Sequence, residues 1–191
     1  MRRDGYQGTA PIAVLWCGNV HGKKGPGWSF PRKVETLLRH LTAGQRVVHL
    51  FGGASRWGTR IDIDPTTRPH VIADAWLAPF RRDSFDVVVL DPPYRFLNAN
   101  DKGQLLRQAA FIARERIIWF HTLWIYSAKS LPLERAWLVR VGDMCAIRCL
   151  QVFAVRGLKS KPDPRFLRGP ALKYNRWLDG QTGLPFQEGD A

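Results

Sequence analysis

The run Phe85-Asp86-Val87-Val88-Val89-Leu90 is of strand length, nearly continuous in apolar character, and stops dead at Asp91-Pro92-Pro93-Tyr94. A strand apolar on successive positions presents an apolar surface to both sides and needs cover on both. That is the situation of a central strand in a parallel sheet. The two prolines end it, because neither can donate to a ladder and each fixes its own φ. Other short runs follow the same plan. Arg46–Phe51 stops at Gly52-Gly53, Thr59–Asp64 carries Asp62 and Asp64, and His70–Asp74 ends in a carboxylate. Between and around them the spacing becomes helical. Ser29 reads as an N-cap with Pro31 in the first turn, then Val34, Leu37, Leu38 and Leu41 recur on one face, and Gly44 stops the helix. A second helix is expected near Lys102–Arg114 and a fifth strand over Arg116–Ile125. Ala136–Val141 and Ala146–Val155 around Gly142-Asp143 predict a β-hairpin. Strands alternating with helices predict an α/β, doubly wound sheet, whose ligands bind beyond the carboxyl ends of the strands. Gly52-Gly53, Asp62, Asp74 and Asp91 all fall at that edge.

Length and charge bound the rest. One domain is expected from 191 residues, and 45% hydrophobic residues exclude a disordered chain. No apolar run approaches the roughly 20 residues that span a bilayer, so a soluble chain with no membrane partner is expected. Met1-Arg2-Arg3 and the apolar run Ile12-Ala13-Val14-Leu15-Trp16 lack a small-residue cleavage site and read as folded protein. Three cysteines make no disulfide framework, which suits a cytoplasmic location. Cys17 with His21, and Cys145 with Cys149, are not spaced as typical zinc ligands, so no metal is expected. With 29 Lys+Arg against 16 Asp+Glu the net charge is +13, and the commonest counterpart of such an excess is a nucleic-acid backbone.

At the strand ends, Gly52-Gly53 lets the backbone approach a ligand closely, because neither residue has a Cβ. Asp62 suits two ribose hydroxyls and Asp74 an adenine amine, both being short acceptors at adjacent strand ends. Asp91-Pro92-Pro93-Tyr94 is the sharper signal. Its carboxylate and the stiffly held carbonyl near Pro92 are two acceptors for an amino group whose lone pair must be freed from ring conjugation. Tyr94 offers a flat face to a base.

These residues resemble the class I S-adenosylmethionine-dependent methyltransferases of the amino-methyltransferase type that act on nucleic-acid bases. The glycine-rich first motif is similar to His49-Leu50-Phe51-Gly52-Gly53-Ala54-Ser55. The final-strand motif is matched letter for letter by Asp91-Pro92-Pro93-Tyr94, and Pro79-Phe80 with Ser84-Phe85-Asp86 follow the family's usual run between them. Trp28-Ser29-Phe30-Pro31 resembles the N-terminal motif that borders the methyl donor. The likeness covers about residues 28–155.

The resemblance implies a Rossmann-like sheet with a C-terminal antiparallel hairpin, with S-adenosyl-L-methionine as cofactor. It implies that Phe30, Phe51, Gly52 and Gly53 lie along the donor, that Asp62 rather than Asp64 holds the ribose, and that Asp74 binds the adenine amine with Ala75-Trp76 bordering the ring. Asp91, Pro92, Pro93 and Tyr94 are then the catalytic residues, Tyr94 also stacking on the target base. The activity implied is methyl transfer to an exocyclic amine, adenine N6 in DNA first, with an RNA base as the alternative. A catalytically inactive donor- or nucleic-acid-binding module is the alternative of another class.

The departures are specific. His49 stands where the family has an acidic residue, and Ser55 stands where it has a third glycine. Phe51–Ile61 and Pro65–Pro69 leave no room for crossover helices after the first two strands of the motif region, which points to a pared-down sheet or to cover from a homodimer. Residues 1–155 read as one methyltransferase domain and 156–191 as a basic tail, with no target-recognition domain, so a separate specificity partner is the other expectation. Lys159, Lys161, Arg165 and Arg168 in that tail, interleaved with aromatics, and Lys23-Lys24 are the candidate phosphate contacts.

Overall fold

The computed structural model describes residues 12–17, 30–92, 99–122, 129–140 and 147–157. In chain order the elements are β1 Ile12–Trp16, α1 Arg32–Leu41, β2 Val47–Leu50, β3 Thr59–Asp62, β4 Val71–Ile72, β5 Phe85–Leu90, α2 Ala99–Ile112, β6 Ala113–Thr122, β7 Leu133–Arg140 and β8 Ile147–Ala154, with single 3₁₀ turns at Pro65–Thr67 and Ala75–Leu77. The eight strands form one sheet in the order β4-β3-β2-β5-β6-β8-β7-β1, in which β8 alone runs antiparallel to its neighbours. The chain moves outward from β2 through β3 to β4, then returns to place β5 on the other side of β2. That reversal is a topological switch point, the position at which open α/β sheets bind ligands.

The two faces are buried separately. Val48, Leu50, Val88, Leu90, Ile117 and Trp119 pack under Leu105, Leu106, Ala109 and Ala110 of α2. On the other face Val47, Val87, Val89, Ile118 and Phe120 pack against Val34 and Leu38 of α1. Successive residues of β5 thus go to opposite cores, which is why its sequence is apolar without alternation.

Several boundaries differ from expectation. Pro31, not Ser29, holds the N-cap position of α1, with φ −53° and ψ 139° and no side-chain cap, while its carbonyl accepts from Glu35 N at 2.9 Å. Proline is tolerated there because the first turn's N–H groups have no helical acceptor. At the other end Thr42 Oγ1 donates to Leu38 O at 2.8 Å, and Gly44 turns the chain at φ +74°. Helix α2 begins at Ala99 and passes directly into β6 at Ala113. The hairpin strands are Leu133–Arg140 and Ile147–Ala154, and Gly142-Asp143 lies outside the described residues. The apolar run Ile12–Trp16, which carries no pattern of its own, is an edge strand parallel to β7.

The expected loss of crossover helices is what the fold shows. Only residues 51–58 join β2 to β3, and only 63–70 join β3 to β4, the latter with a single 3₁₀ turn. Parallel neighbours usually need a dozen or more residues to cross over. Here β2 is four residues and β4 two, so each connection retraces about 10 Å or less at ~3.3 Å per residue. Short strands make short crossovers feasible. No helix among the described residues is long and apolar enough to cross a membrane.

Candidate active site at the carboxyl edge of the sheet

Beyond Leu50 the chain turns through Phe51 at φ +67° and Gly53 at φ +46°. The left-handed region is costly for a phenylalanine and costs glycine little, so this loop stores strain of the kind found at functional sites. Between them Gly52 is required by space, since a Cβ there would lie 2.7 Å from Arg60 Cβ.

The loop is tied to β3 rather than to a helix. Asp62, 6% exposed, accepts from Gly53 N through Oδ2 at 2.9 Å and from Asp64 N through Oδ1 at 3.0 Å. Arg60 Nη1 donates to Gly53 O at 2.9 Å and to Thr67 O at 3.1 Å, while Nη2 reaches Arg68 O at 2.6 Å. One guanidinium therefore pins both short crossovers from the inside. Arg60 was not singled out by sequence. A cation in a short strand directly behind a Gly-Gly turn is the signal that could have found it.

The aspartates separate by role. Asp64 turns inward on its own chain, capping the 3₁₀ turn by accepting from Thr66 N at 2.8 Å. This ends β3 at Asp62 rather than Asp64. Asp74 likewise accepts from Trp76 N at 2.9 Å and ends β4 at Ile72, while its second oxygen has no partner among the described residues. Asp62 and Asp74 line one cleft with Phe51, Ile63, Ala73, Ala75 and Trp76. The Phe51 ring meets Trp76 edge-on with centroids 5.2 Å apart. Burial holds both carboxyls above the ordinary aspartate range; for each, hydrogen bonds from backbone N–H groups act in the opposite sense. Buried acceptors of this kind are costly unless donors reach them.

Asp91 follows the last residue of β5 and is 7% exposed, with Pro92 buried beside it. Phe30 is on the α1 face, its ring 6.0 Å from His49 and 5.8 Å from Phe120, so it stands apart from the Asp62–Asp74 cleft. Gly53 N reaches Asp62 of the cleft, and Gly52 backs onto Arg60. Pro93, Tyr94, Lys23, Lys24, Lys159, Lys161, Arg165 and Arg168 are outside the described residues.

His49 explains one departure from the family pattern. It is 1% exposed, edge-on to Trp57 at 4.2 Å, and neither ring nitrogen has a partner among the described residues. Trp57 packs on the α1-face core from within the 51–58 connection, covering part of the sheet without a crossover helix. Burial first, then the Arg60 and Arg39 charges, lower the His49 pKa to about 3. The native state refuses a proton that the unfolded chain takes up below about pH 6.5. Stability from this group is therefore complete above that pH and is lost as pH falls toward 3. Between pH 7 and pH 5 the loss is expected to be about 2 kcal/mol. Urea unfolding of wild type and His49→Leu across that interval checks it: the variant should lack this component, and parallel profiles would refute it.

No family model matches the chain, and no curated protein does. Solved structures do. A Burkholderia thailandensis 1,6-didemethyltoxoflavin-N1-methyltransferase, with bound 1,6-didemethyltoxoflavin and S-adenosylhomocysteine, superposes with a TM-score of 0.53 at 10% identity, covering 65% of this chain and 77% of that one. A Pyrococcus horikoshii protein provisionally named an RNA methyltransferase gives 0.53 at 13% identity, over 73% and 93%. A TehB-like SAM-dependent methyltransferase of Corynebacterium glutamicum gives 0.50 at 16% identity, over 63% and 86%. With the strand order and switch point above, these likenesses show that the chain has the class I S-adenosylmethionine-dependent methyltransferase fold.

Proposed function

We propose that the protein transfers a methyl group from S-adenosyl-L-methionine to an exocyclic amine of a nucleic-acid base, adenine N6 in DNA first. The observation that carries this reading is a buried carboxylate, Asp91, followed by Pro92 at the switch-point strand end, one strand from the Gly52-Gly53 turn. The Asp62–Asp74 cleft offers acceptors of the kind that the adenosine part of such a donor needs. Asp74 has an oxygen without a partner among the described residues, open to an adenine amine, and the Asp62 oxygens keep acceptor capacity beyond their backbone bonds. Phe51 and Trp76 supply the apolar walls.

The bound donor supplies a methyl group made electrophilic by a sulfonium. The chain's own residues do the rest by placement. Asp91 accepts a hydrogen bond from the target amine, with the Pro92 carbonyl as a second acceptor, so the nitrogen lone pair turns out of conjugation and toward the methyl. A methyl group transferred to that nitrogen would leave positive charge on it, which the Asp91 carboxylate would stabilise until the surplus amine proton passes to solvent. Buried acceptors fixed in advance are effective because nothing has to reorganise. The target amine is inaccessible inside a duplex, so the base must be flipped out or single-stranded.

An RNA base is the second reading, favoured by the likeness to the Pyrococcus horikoshii protein. Labelled methyl transfer to DNA, RNA and free nucleosides separates them. Label in DNA is expected; label in RNA alone selects the second reading, and label in nucleosides alone refutes both.

A further inference from the structure

We propose that Arg148, with Arg32 and Lys33, forms a phosphate-binding rim that seats the target strand beside Asp91, an inference that rests on the nucleic-acid reading above. Register fixes the placement. Leu90 pairs with Trp119, so the next residues along, Asp91 and Phe120, stand abreast on β5 and β6. Phe120 pairs with Leu150 and Thr122 with Arg148, which puts Arg148 one strand further across and two residues further toward the same edge. Two strand spacings of ~4.8 Å and two rises of ~3.3 Å separate the Asp91 and Arg148 backbones by about 12 Å. Pleating sends the Arg148 side chain to the α1 face with Leu150 and Val152. It leans back over β6, its guanidinium carbon 5.5 Å from the centroid of the Phe120 ring. A guanidinium held over a ring within cation–π range has fewer positions open to it, and that pre-organisation suits a phosphate.

Arg32 and Lys33 stand on the same rim. Helix α1 starts at this edge, since the Phe30 ring just before it touches Phe120, and Lys33 acts on Cys17 at the end of β1. Both cations are exposed, and neither forms an ion pair among the described residues. Cations in the first turn oppose the helix dipole, so helix stability does not account for them. An anion seated between the helix start and Arg148 does.

The test is direct binding of a fluorescent single-stranded oligonucleotide at several salt concentrations, which needs no turnover. Arg148→Gln is expected to weaken binding about threefold to tenfold and to make the slope of log K against log[salt] shallower by about 0.7, one phosphate. Arg32→Gln/Lys33→Gln should lower the slope by about twice that. Arg114→Gln, at the opposite edge and 3.6 Å from Asp86, is expected to leave the slope unchanged. An unchanged slope in Arg148→Gln, an equal change in Arg114→Gln, or no binding by wild type overturns the rim. Binding with the expected slopes but without methyl transfer refutes the activity proposed above and leaves the rim standing.

Discussion

Asp91→Asn is expected to lower the turnover number for methyl transfer by about 10²–10³ while leaving donor affinity within about threefold. The substitution keeps the shape of the side chain and removes its charge. What is lost is stabilisation of the positive charge that grows on the attacking nitrogen, and removing one pre-organised group of this kind typically costs that much. Donor affinity should hold, because Asp91 lies at the end of β5 and does not line the cleft formed by Asp62, Asp74 and Trp76. Single-turnover transfer of labelled methyl, with calorimetry of the donor in parallel, reads both quantities. Full activity in Asp91→Asn would remove Asp91 from the chemistry. A loss matched by an equal loss of donor affinity would make it a binding residue instead.

Asp62→Ala is expected to weaken donor binding by about 100-fold and to lower stability by about 1–3 kcal/mol. Charge-assisted hydrogen bonds to a ribose diol contribute about 1.5–3 kcal/mol each. The same change strands the N–H groups of Gly53 and Asp64, which Asp62 holds at 2.9 and 3.0 Å. Relief of a buried carboxylate partly offsets this, which keeps the stability loss modest. Because burial raises the Asp62 and Asp74 pKa values, wild-type donor affinity should fall as pH drops through a range above the usual 3.8 of a free aspartate. The sign follows from protonation, which removes the charge that the hydroxyl and amine donors meet. Calorimetry of the donor and its demethylated product gives the affinities. Equal affinity in Asp62→Ala and wild type would detach the cleft from the donor.

The sequence was most legible where a physical constraint was local. Strand β5 is Phe85–Leu90 in both readings, since an apolar run closed by Asp-Pro-Pro allows little else. The missing crossover helices were also legible, because eight residues cannot hold a helix and two turns. Strands β3 and β4 end two residues earlier than the sequence pattern predicts. There Asp64 and Asp74 prefer to accept from the N–H two residues on, and that local turn ends the strand. The partner of β1 was not legible, because β7 lies far along the chain and no local pattern encodes that register. Arg60 carried only a weak local signal, a cation in a short strand behind a Gly-Gly turn, because its three carbonyl acceptors come together only once β3 and both short crossovers are in place. In the sequence His49 is a departure from the family's acidic residue. In the fold it is a neutral packing residue against Trp57, and the tryptophan covers sheet left bare by a shortened chain.

The central claim is that the Asp91 strand end directs a methyl group onto an exocyclic amine. The position of the label after transfer tests it most directly. Oligonucleotide methylated with labelled donor is digested to nucleosides and separated. The account predicts label in N6-methyladenine, formed about 10²–10³ times more slowly when Asp91→Asn replaces wild type. Label on a ring nitrogen or carbon, or none on nucleic acid while the donor binds tightly, would contradict it.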